Sequence, residues 1–130
     1  MKKIIIPVIF IFILIIYLLI NNKQCTNKQA KKYFINNKNY CLLTASNQEQ
    51  WERGLMFYKK PVDFDGMIFI FPDKQVRNFW NKNTYLDLDL YWMNGEIVIG
   101  KSYLPSILKS KKLVIVKSSG EVNIVAEIIR

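Results

Sequence analysis

The longest hydrophobic feature of the chain is an uncharged apolar run at residues 4–20, IIIPVIFIFILIIYLLI. Its 17 residues are at the short limit for a membrane-spanning helix and exceed the apolar core of most signal peptides. The residues that follow, NNKQC, contain no small-residue cleavage site. We therefore predict an uncleaved signal anchor over residues 1–20, with a cleaved signal peptide as the alternative.

The apolar run also predicts where the protein lies. A short basic start, here MKK, followed by an apolar run is the usual layout of an exported protein. Lysines flank both ends of the run, so charge alone does not decide its orientation. We predict a membrane-anchored protein with an extracytoplasmic domain, and membrane lipid as the partner of the N-terminal helix.

Beyond this run the pattern changes twice. Residues 21–32 are polar, have no apolar period and are predicted to be a linker. Residues 33–130 carry short apolar runs separated by turn residues, which is typical of β-strands. Strands are predicted on both sides of the Asn-rich turn at residues 36–39, and over the apolar run MIFIF at residues 67–71.

Two more hairpins and one helix complete the predicted domain. The Asn-Gly pair at residues 94–95 predicts a tight hairpin, and the apolar runs around residues 118–120 suggest a last one. Ser46 and Glu49 have the spacing of a capping box, so a short helix is predicted there, with Gly54 at its end. The predicted fold class is mainly β (α+β). It is a compact β-sandwich or barrel-like domain of about six or seven short strands and one short helix, behind the N-terminal membrane helix.

The stretch FWNKNTYLDLDLYW, residues 79–92, alternates apolar and polar side chains. Alternate residues of a strand face opposite sides of a sheet. The residues predicted to face the core are Leu86, Leu88, Leu90 and Trp92. Asp87 and Asp89 then fall on the other face, and a bend is predicted over residues 81–84.

The net charge of +9 is concentrated at the start of the chain. Residues 1–40 contain seven lysines and no acidic residue, whereas residues 41–130 contain 12 basic and 10 acidic residues, a net +2. The predicted domain therefore lacks the strong positive charge of a nucleic-acid-binding protein, and we predict no nucleic-acid partner. The lysine cluster either meets anionic lipid headgroups or belongs to a solvated linker.

The chain contains no histidine and two cysteines. The lack of histidine excludes Ser-His-Asp and Cys-His mechanisms within one chain and removes the commonest transition-metal ligand. Cys25 and Cys41 are too few for a zinc site. Outside the cytoplasm they could form a disulfide; the alternative is two separate thiols, with Cys41 in a buried strand.

Three ordered motifs resemble a known family. The motifs ERGLMF (residues 52–57), DGMIFIF (residues 65–71) and FWNKNT with a following LDL (residues 88–90) resemble the prokaryotic "domain of unknown function 192" family. The family pattern has Met after the tryptophan, where this chain has Asn81, and Pro before the Leu-Asp pair, where it has Asp87. The resemblance implies a small β-rich domain, often behind an export signal, and no known reaction.

The polar pattern and the resemblance select one polar cluster as the candidate site. Its members are Arg53, Trp80, Lys82, Asn83, Thr84 and Asp89. We predict that they lie together at one end of the domain. One interpretation is a structural ion pair between Asp89 and either Arg53 or Lys82. The other is a ligand-binding cleft with Trp80 as a wall.

The preferred functional hypothesis is a binding or accessory module for an unidentified protein or small ligand, not an enzyme. The alternative is a hydrolase-like enzyme that uses Asp87 and Asp89, which the rise of a strand places about 7 Å apart, within the range of inverting glycosidases. Two residues on one flat strand face share a surface and do not flank a bond. A hard-cation site made from these carboxylates and Asn83 would have few ligands and Lys82 beside it, so we predict neither a metal site nor a cofactor.

Overall fold

The structure is a computed structural model that describes residues 5–21 and 24–130. An N-terminal helix precedes a mainly β domain, so the predicted fold class is confirmed at that level. The described part of the chain has eight strands, where six or seven were predicted. The elements are α1 (Ile5–Asn21), β1 (Lys31–Ile35), β2 (Lys38–Ala45), α2 (Gln48–Arg53), β3 (Gly66–Gln75), β4 (Asn78–Trp80), β5 (Leu88–Asn94), β6 (Ile97–Leu104), α3 (Ile107–Ser110), β7 (Ile115–Lys117) and β8 (Val122–Ile129).

Six strands form the main sheet in the order β1-β2-β3-β8-β5-β6. The β2–β3 pair is parallel, and the other neighbours are antiparallel. β4 and β7 form a separate two-stranded sheet. The last strand of the chain, β8, therefore lies inside the main sheet, with β3 on one side and β5 on the other.

Each face of the main sheet carries its own apolar cluster. The first face carries Leu88, Leu90 and Trp92 of β5, and these side chains pack with Leu55 and other residues that follow or flank α2, β4 and β7. The second face carries the alternate residues of β5, such as Tyr91. The prediction that Leu86, Leu88, Leu90 and Trp92 face the core is confirmed, because all four are at most 2% exposed.

The turn residues predicted two hairpins correctly, but the predicted pairing of the last two strands is wrong. β1 and β2 form the predicted hairpin, with Asn36 and Asn37 in left-handed conformations, and β5 and β6 form the other. The last predicted hairpin is wrong, since β7 pairs with β4 instead of β8. An apolar strand next to a turn does not specify its partner, and here the partner lies about 35 residues earlier in the sequence.

α2 begins one residue later than predicted. Its N-cap is Asn47, whose side chain accepts a hydrogen bond from the Gln50 backbone N–H at 3.0 Å. The Gln50 side chain accepts from the backbone N–H of Ser46 at 2.8 Å, so the return bond of a capping box comes from the residue before the N-cap. The predicted end at Gly54 is confirmed as the C-cap.

α1 contains 17 residues. Among the residues that the structure describes, no helix reaches the combination of length and apolar character that a bilayer crossing requires. The membrane helix of the predicted fold class is therefore not found in residues 5–21 and 24–130. The predicted anchor and linker also include residues 1–4 and 22–23, which lie outside the described residues, so membrane anchoring stays a prediction.

A disulfide joins Cys25 and Cys41, with their Cα atoms 5.5 Å apart. It attaches the segment before β1 to the middle of β2. Cys41 is 3% exposed and belongs to the core cluster of the first face, and Cys25 packs against that cluster. Of the two alternatives that the sequence left open, the structure contains the disulfide.

Gly66 allows β3 and β8 to approach each other closely, which generates the first prediction. An added Cβ would lie 1.8 Å from the backbone oxygen of Glu127, at a residue whose φ of +157° suits glycine. Gly66→Ala should therefore lower the free energy of unfolding by more than about 3 kcal/mol, measured by chemical denaturation. Gly120→Ala, which meets only the end of the Ile99 side chain, is the control. Equal stability of the two variants would contradict the described strand spacing.

Candidate functional site

A cleft of about 570 Å³ opens on the first face of the main sheet. Its walls come from α2 and the turn after it, from the end of β3, from β4 and from β8. Its main lining residues are Trp51, Glu52, Arg53, Gly54, Phe69, Phe71, Asp73, Arg77, Phe79, Trp80, Thr84 and Glu127. The lining thus combines aromatic rings with several charged and polar side chains, and a concave site of this size is a candidate for small-molecule binding.

Aromatic side chains form the fixed walls of the cleft. The rings of Trp51 and Phe71 lie 5.0 Å apart between centroids, and those of Phe69 and Phe79 lie 4.9 Å apart, edge to face. The Trp51 indole N–H donates to the backbone oxygens of Ala45 and Ile70, which holds its ring in place. These contacts preorganise the walls, so a ligand would order few side chains on binding.

Arg77 is part of the wall and is not free to bind a ligand. Its guanidinium carbon lies 3.6 Å from the centroid of the Phe71 ring. The same group forms an ion pair with Asp73 at 2.8 Å and donates to the backbone oxygen of Val122 at 3.3 Å. Because its donors and its charge already have partners, Arg77 supports the aromatic wall rather than supplying a binding group.

Glu127 lies at the base of the cleft, in the centre of the main sheet. Its side chain is 4% exposed, and within the described residues no hydrogen bond or ion pair reaches its carboxyl. The backbone of the turn after α2 passes over it, with Oε2 4.0 Å from the position of an added Gly54 Cβ. Burial raises the pKa of Glu127 to about 8, since the charged form is desolvated.

The sequence pattern around Glu127 marks it as an unusual position. It stands in the strand EVNIVAEII, where Val125 and Ile129 share its face and pack into the core of the first face. A charged residue at a core position of an apolar strand is expensive unless it is paired or functional. Alternation alone could have identified it as a candidate, but the neighbouring strands that bury it are distant in sequence.

Three of the six predicted cluster residues line the cleft: Arg53, Trp80 and Thr84. Lys82 and Asn83 lie next to it. The Lys82 ammonium is 5.2 Å from the centroid of the Trp80 ring, and the Asn83 backbone oxygen accepts from the Phe57 N–H at 2.9 Å. Asn83 has a left-handed φ of 50°, so it is the bend of the loop that joins β4 to β5.

The sixth residue, Asp89, does not lie in the cleft. It forms ion pairs with Lys101 at 3.4 Å and with Arg130 at 3.3 Å, and the expected pair with Arg53 or Lys82 is absent. The physical reason is strand alternation, because the cleft shares the face of Leu88 and Leu90 and Asp89 points to the other. That pairing was wrong; a role for the remaining residues in binding stays a prediction.

Asp87 is a structural anchor. Its Oδ1 accepts from the Ser106 backbone N–H at 2.9 Å and from the Tyr103 hydroxyl at 3.1 Å, and its Oδ2 lies 3.9 Å from the Lys109 ammonium. These donors, the Ser106 N–H above all, hold the pKa of Asp87 below its usual range. No group of three or more metal-ligating side chains occurs in residues 5–21 and 24–130.

Comparisons with known proteins extend over most of the chain. The model of one family, DUF192, described as "Uncharacterized ACR", matches residues 29–128. No curated protein matches. Among solved structures, a candidate transcription regulator from Sinorhizobium meliloti 1021 is similar, with 23% identity, a TM-score of 0.62 and coverage of 75% of this chain and 77% of that chain. A protein of unknown function from Novosphingobium aromaticivorans DSM 12444 has 20% identity, a TM-score of 0.61 and coverage of 75% and 70%. At these identities the likeness shows the fold alone.

The buried carboxyl of Glu127 predicts a pH dependence of stability. Its pKa is about 8 in the folded chain and near the ordinary value of 4.5 when unfolded, so the unfolded chain loses the proton first as the pH rises. Relative to Glu127→Gln, the wild type should therefore lose up to about 1.4 kcal/mol of unfolding free energy per pH unit between these two pKa values. Above pH 8 the difference should level off.

Denaturant unfolding at a series of pH values measures this difference. The matched control is Glu121→Gln, since Glu121 is an exposed residue next to the start of β8. We expect the curve of the control to run parallel to that of the wild type. A Glu127→Gln curve that also runs parallel to the wild type would show that Glu127 is not buried as described.

Proposed function

Since the chain belongs to the domain of unknown function 192 family, which has no assigned activity, we propose that its β domain is a binding module whose cleft takes a small organic ligand. The observation that carries this proposal is the unpartnered carboxyl of Glu127 at the base of the cleft. No fully buried side-chain polar atom of the described residues lacks a partner, so this carboxyl keeps contact with the space of the cleft, where its sparse solvation costs free energy. A ligand that supplied a partner would recover that cost on binding.

The walls of the cleft support the same proposal. Their aromatic rings offer apolar area that is already ordered, and Trp80 at the edge is 45% exposed. A cleft of about 570 Å³ is within the size range of small-molecule sites. Aromatic rings and polar side chains in one cleft suit a ligand that has both an apolar body and polar ends.

The geometry favours binding over hydrolysis by Asp87 and Asp89. Asp89 lies on the second face, away from the cleft, and is engaged by Lys101 and Arg130. Asp87 is held ionised by its donors, whereas a general acid needs a proton near neutral pH. Asp89 therefore does not face the cleft, and Asp87 does not suit the role of general acid.

We also propose that the N-terminal apolar segment attaches the binding module to a membrane, with the module outside the cytoplasm. Every side chain from Val8 to Leu19 is between 43% and 73% exposed, and all are apolar except the hydroxyl of Tyr17. An apolar surface of this extent requires a membrane or a partner to cover it. The Cys25–Cys41 disulfide supports an oxidising compartment, because disulfides are rare in the cytoplasm.

The binding proposal predicts a saturable ligand. The wild type should be screened by thermal unfolding against small aromatic and branched aliphatic compounds that are cationic, anionic, zwitterionic or neutral. At least one class should raise the unfolding temperature in a concentration-dependent way, because a ligand that binds only the folded chain stabilises it. A complete absence of saturable binding would contradict the proposal.

The variant Trp80→Ala locates the site of such a ligand. It removes a half-exposed wall, so we expect at least about tenfold weaker binding with little change in stability. Phe34→Ala is the matched control, because Phe34 is an exposed aromatic residue of β1 outside the cleft lining. Equal losses in both variants would place the ligand elsewhere.

The location proposal predicts the behaviour of C-terminal reporters. A reporter that works only in the cytoplasm should be inactive when fused after Arg130, and one that works only outside should be active. Alkylation of the native protein should label Cys25 and Cys41 only after reduction. Strong activity of the cytoplasmic reporter would overturn the proposed orientation.

A further inference from the structure

Two groups of opposite charge type in the cleft have no partner. Within the described part of the chain, neither the carboxyl of Glu127 nor the guanidinium of Arg53 makes a hydrogen bond or an ion pair, and they are not paired with each other. Glu127 is buried at the base, whereas Arg53 is exposed at the rim, at the end of α2. The cleft therefore offers one carboxyl and one guanidinium as binding groups at different depths.

The other charged groups that face the cleft are already engaged. Asp73 and Arg77 form an ion pair with each other. Glu52 accepts a hydrogen bond from the Gln48 side chain at 2.6 Å, and both residues belong to the cleft lining. Among the charged side chains that line the cleft, Glu127 and Arg53 are thus the two without a hydrogen-bond or ion-pair partner within the described residues.

Gly54 lies next to both groups. It directly follows Arg53 and carries the chain over Glu127 in a left-handed conformation, with φ of +49°. A Cβ there would lie 3.2 Å from the Phe69 ring and 4.0 Å from Glu127 Oε2. The backbone of this turn thus connects the rim, where Arg53 lies, with the base, where it passes close to Glu127.

We infer that the cleft takes an amino-acid-like zwitterion: a ligand whose ammonium group binds Glu127, whose carboxylate binds Arg53 and whose apolar body lies against the aromatic walls. This ligand class rests on the proposed binding function. An ammonium supplies three donors to a carboxylate in a water-poor site, where charge-assisted hydrogen bonds are strong. A guanidinium matches a carboxylate with two parallel donors.

The inference fixes the proton balance of binding. Free Glu127 holds its proton at neutral pH because burial raises its pKa to about 8. The incoming ammonium keeps its own three protons, so Glu127 must ionise to pair with it, and its proton passes to the buffer. A ligand that instead accepted a hydrogen bond from the protonated carboxyl would release no proton.

Two matched sets of probes test the charge selection by titration calorimetry at pH 6.5. The first set is L-phenylalanine, phenethylammonium and 3-phenylpropionate; the second is L-leucine, isopentylammonium and 4-methylpentanoate. Within at least one set, the zwitterion should bind at least about tenfold more tightly than either singly charged analogue. Titrations in buffers of different ionisation enthalpy should show release of about one proton per zwitterion bound.

Two variants separate the contributions of the two groups. Arg53→Gln should remove the advantage of the zwitterion over the ammonium compound, and Glu127→Gln should remove its advantage over the carboxylate compound together with the proton release. Arg53 is exposed and the glutamine replacing Glu127 has the same shape, so both variants should fold, which thermal unfolding checks. Lys32→Gln is the control for general loss of positive charge, since Lys32 is an exposed residue of β1 outside the cleft lining.

The outcomes distinguish this inference from the proposed function. A singly charged or neutral compound that binds as tightly as its zwitterion, or zwitterion binding without proton release, overturns the ligand class and leaves the cleft as a binding site. If no cationic, anionic, zwitterionic or neutral compound of the panel binds, both the ligand class and the binding function fail. Equal effects of Lys32→Gln and Arg53→Gln would also overturn the assignment of the carboxylate position.

Discussion

β8 is hydrogen-bonded to β3 on one side and to β5 on the other, and the main sheet depends on these two pairings. The close approach at Gly66 sets the spacing of β3 and β8 beside Glu127. The strand also fixes the position of this carboxyl, because Glu127 shares a face with Val125 and must point into the core side of the sheet. The pairing of β8 with β3 and β5 therefore also positions the Glu127 carboxyl under the turn after α2.

A buried carboxyl of this kind lowers the stability of the fold at neutral pH. A hydrophobic residue would fill the same space without the cost of desolvation, and the neighbours of Glu127 on the strand are Ala126 and Ile128. Residues that break the local hydrophobic pattern of a sequence, as a charged residue at a core position does, are commonly functional. Glu127 shares the cleft with the aromatic walls, the unpaired guanidinium of Arg53 and the turn at Gly54. We therefore propose that the binding site lies there.

Local features of the fold could be predicted from the sequence, and non-local ones could not. The period of two identified the buried face of residues 86–92, and the Asn-rich turn identified the first hairpin, because both signals act between near neighbours. The partner of β7 and the burial of Glu127 depend on strands distant in sequence. Arg53 and Trp80, which the motifs selected, both line the cleft. The expected partner Asp89 was wrong, because alternation assigns it a face but does not show on which face the cleft opens.

The most direct test of the central claim is a titration of the Glu127 side-chain carboxyl by carbon-detected NMR, with Glu127→Gln used to assign its signal. The account predicts a midpoint near pH 8 in the free protein and a lower midpoint when a ligand ammonium binds in the cleft. A midpoint in the ordinary range of a glutamate, about 4.3, would contradict the account, because the carboxyl would then be solvated or already paired.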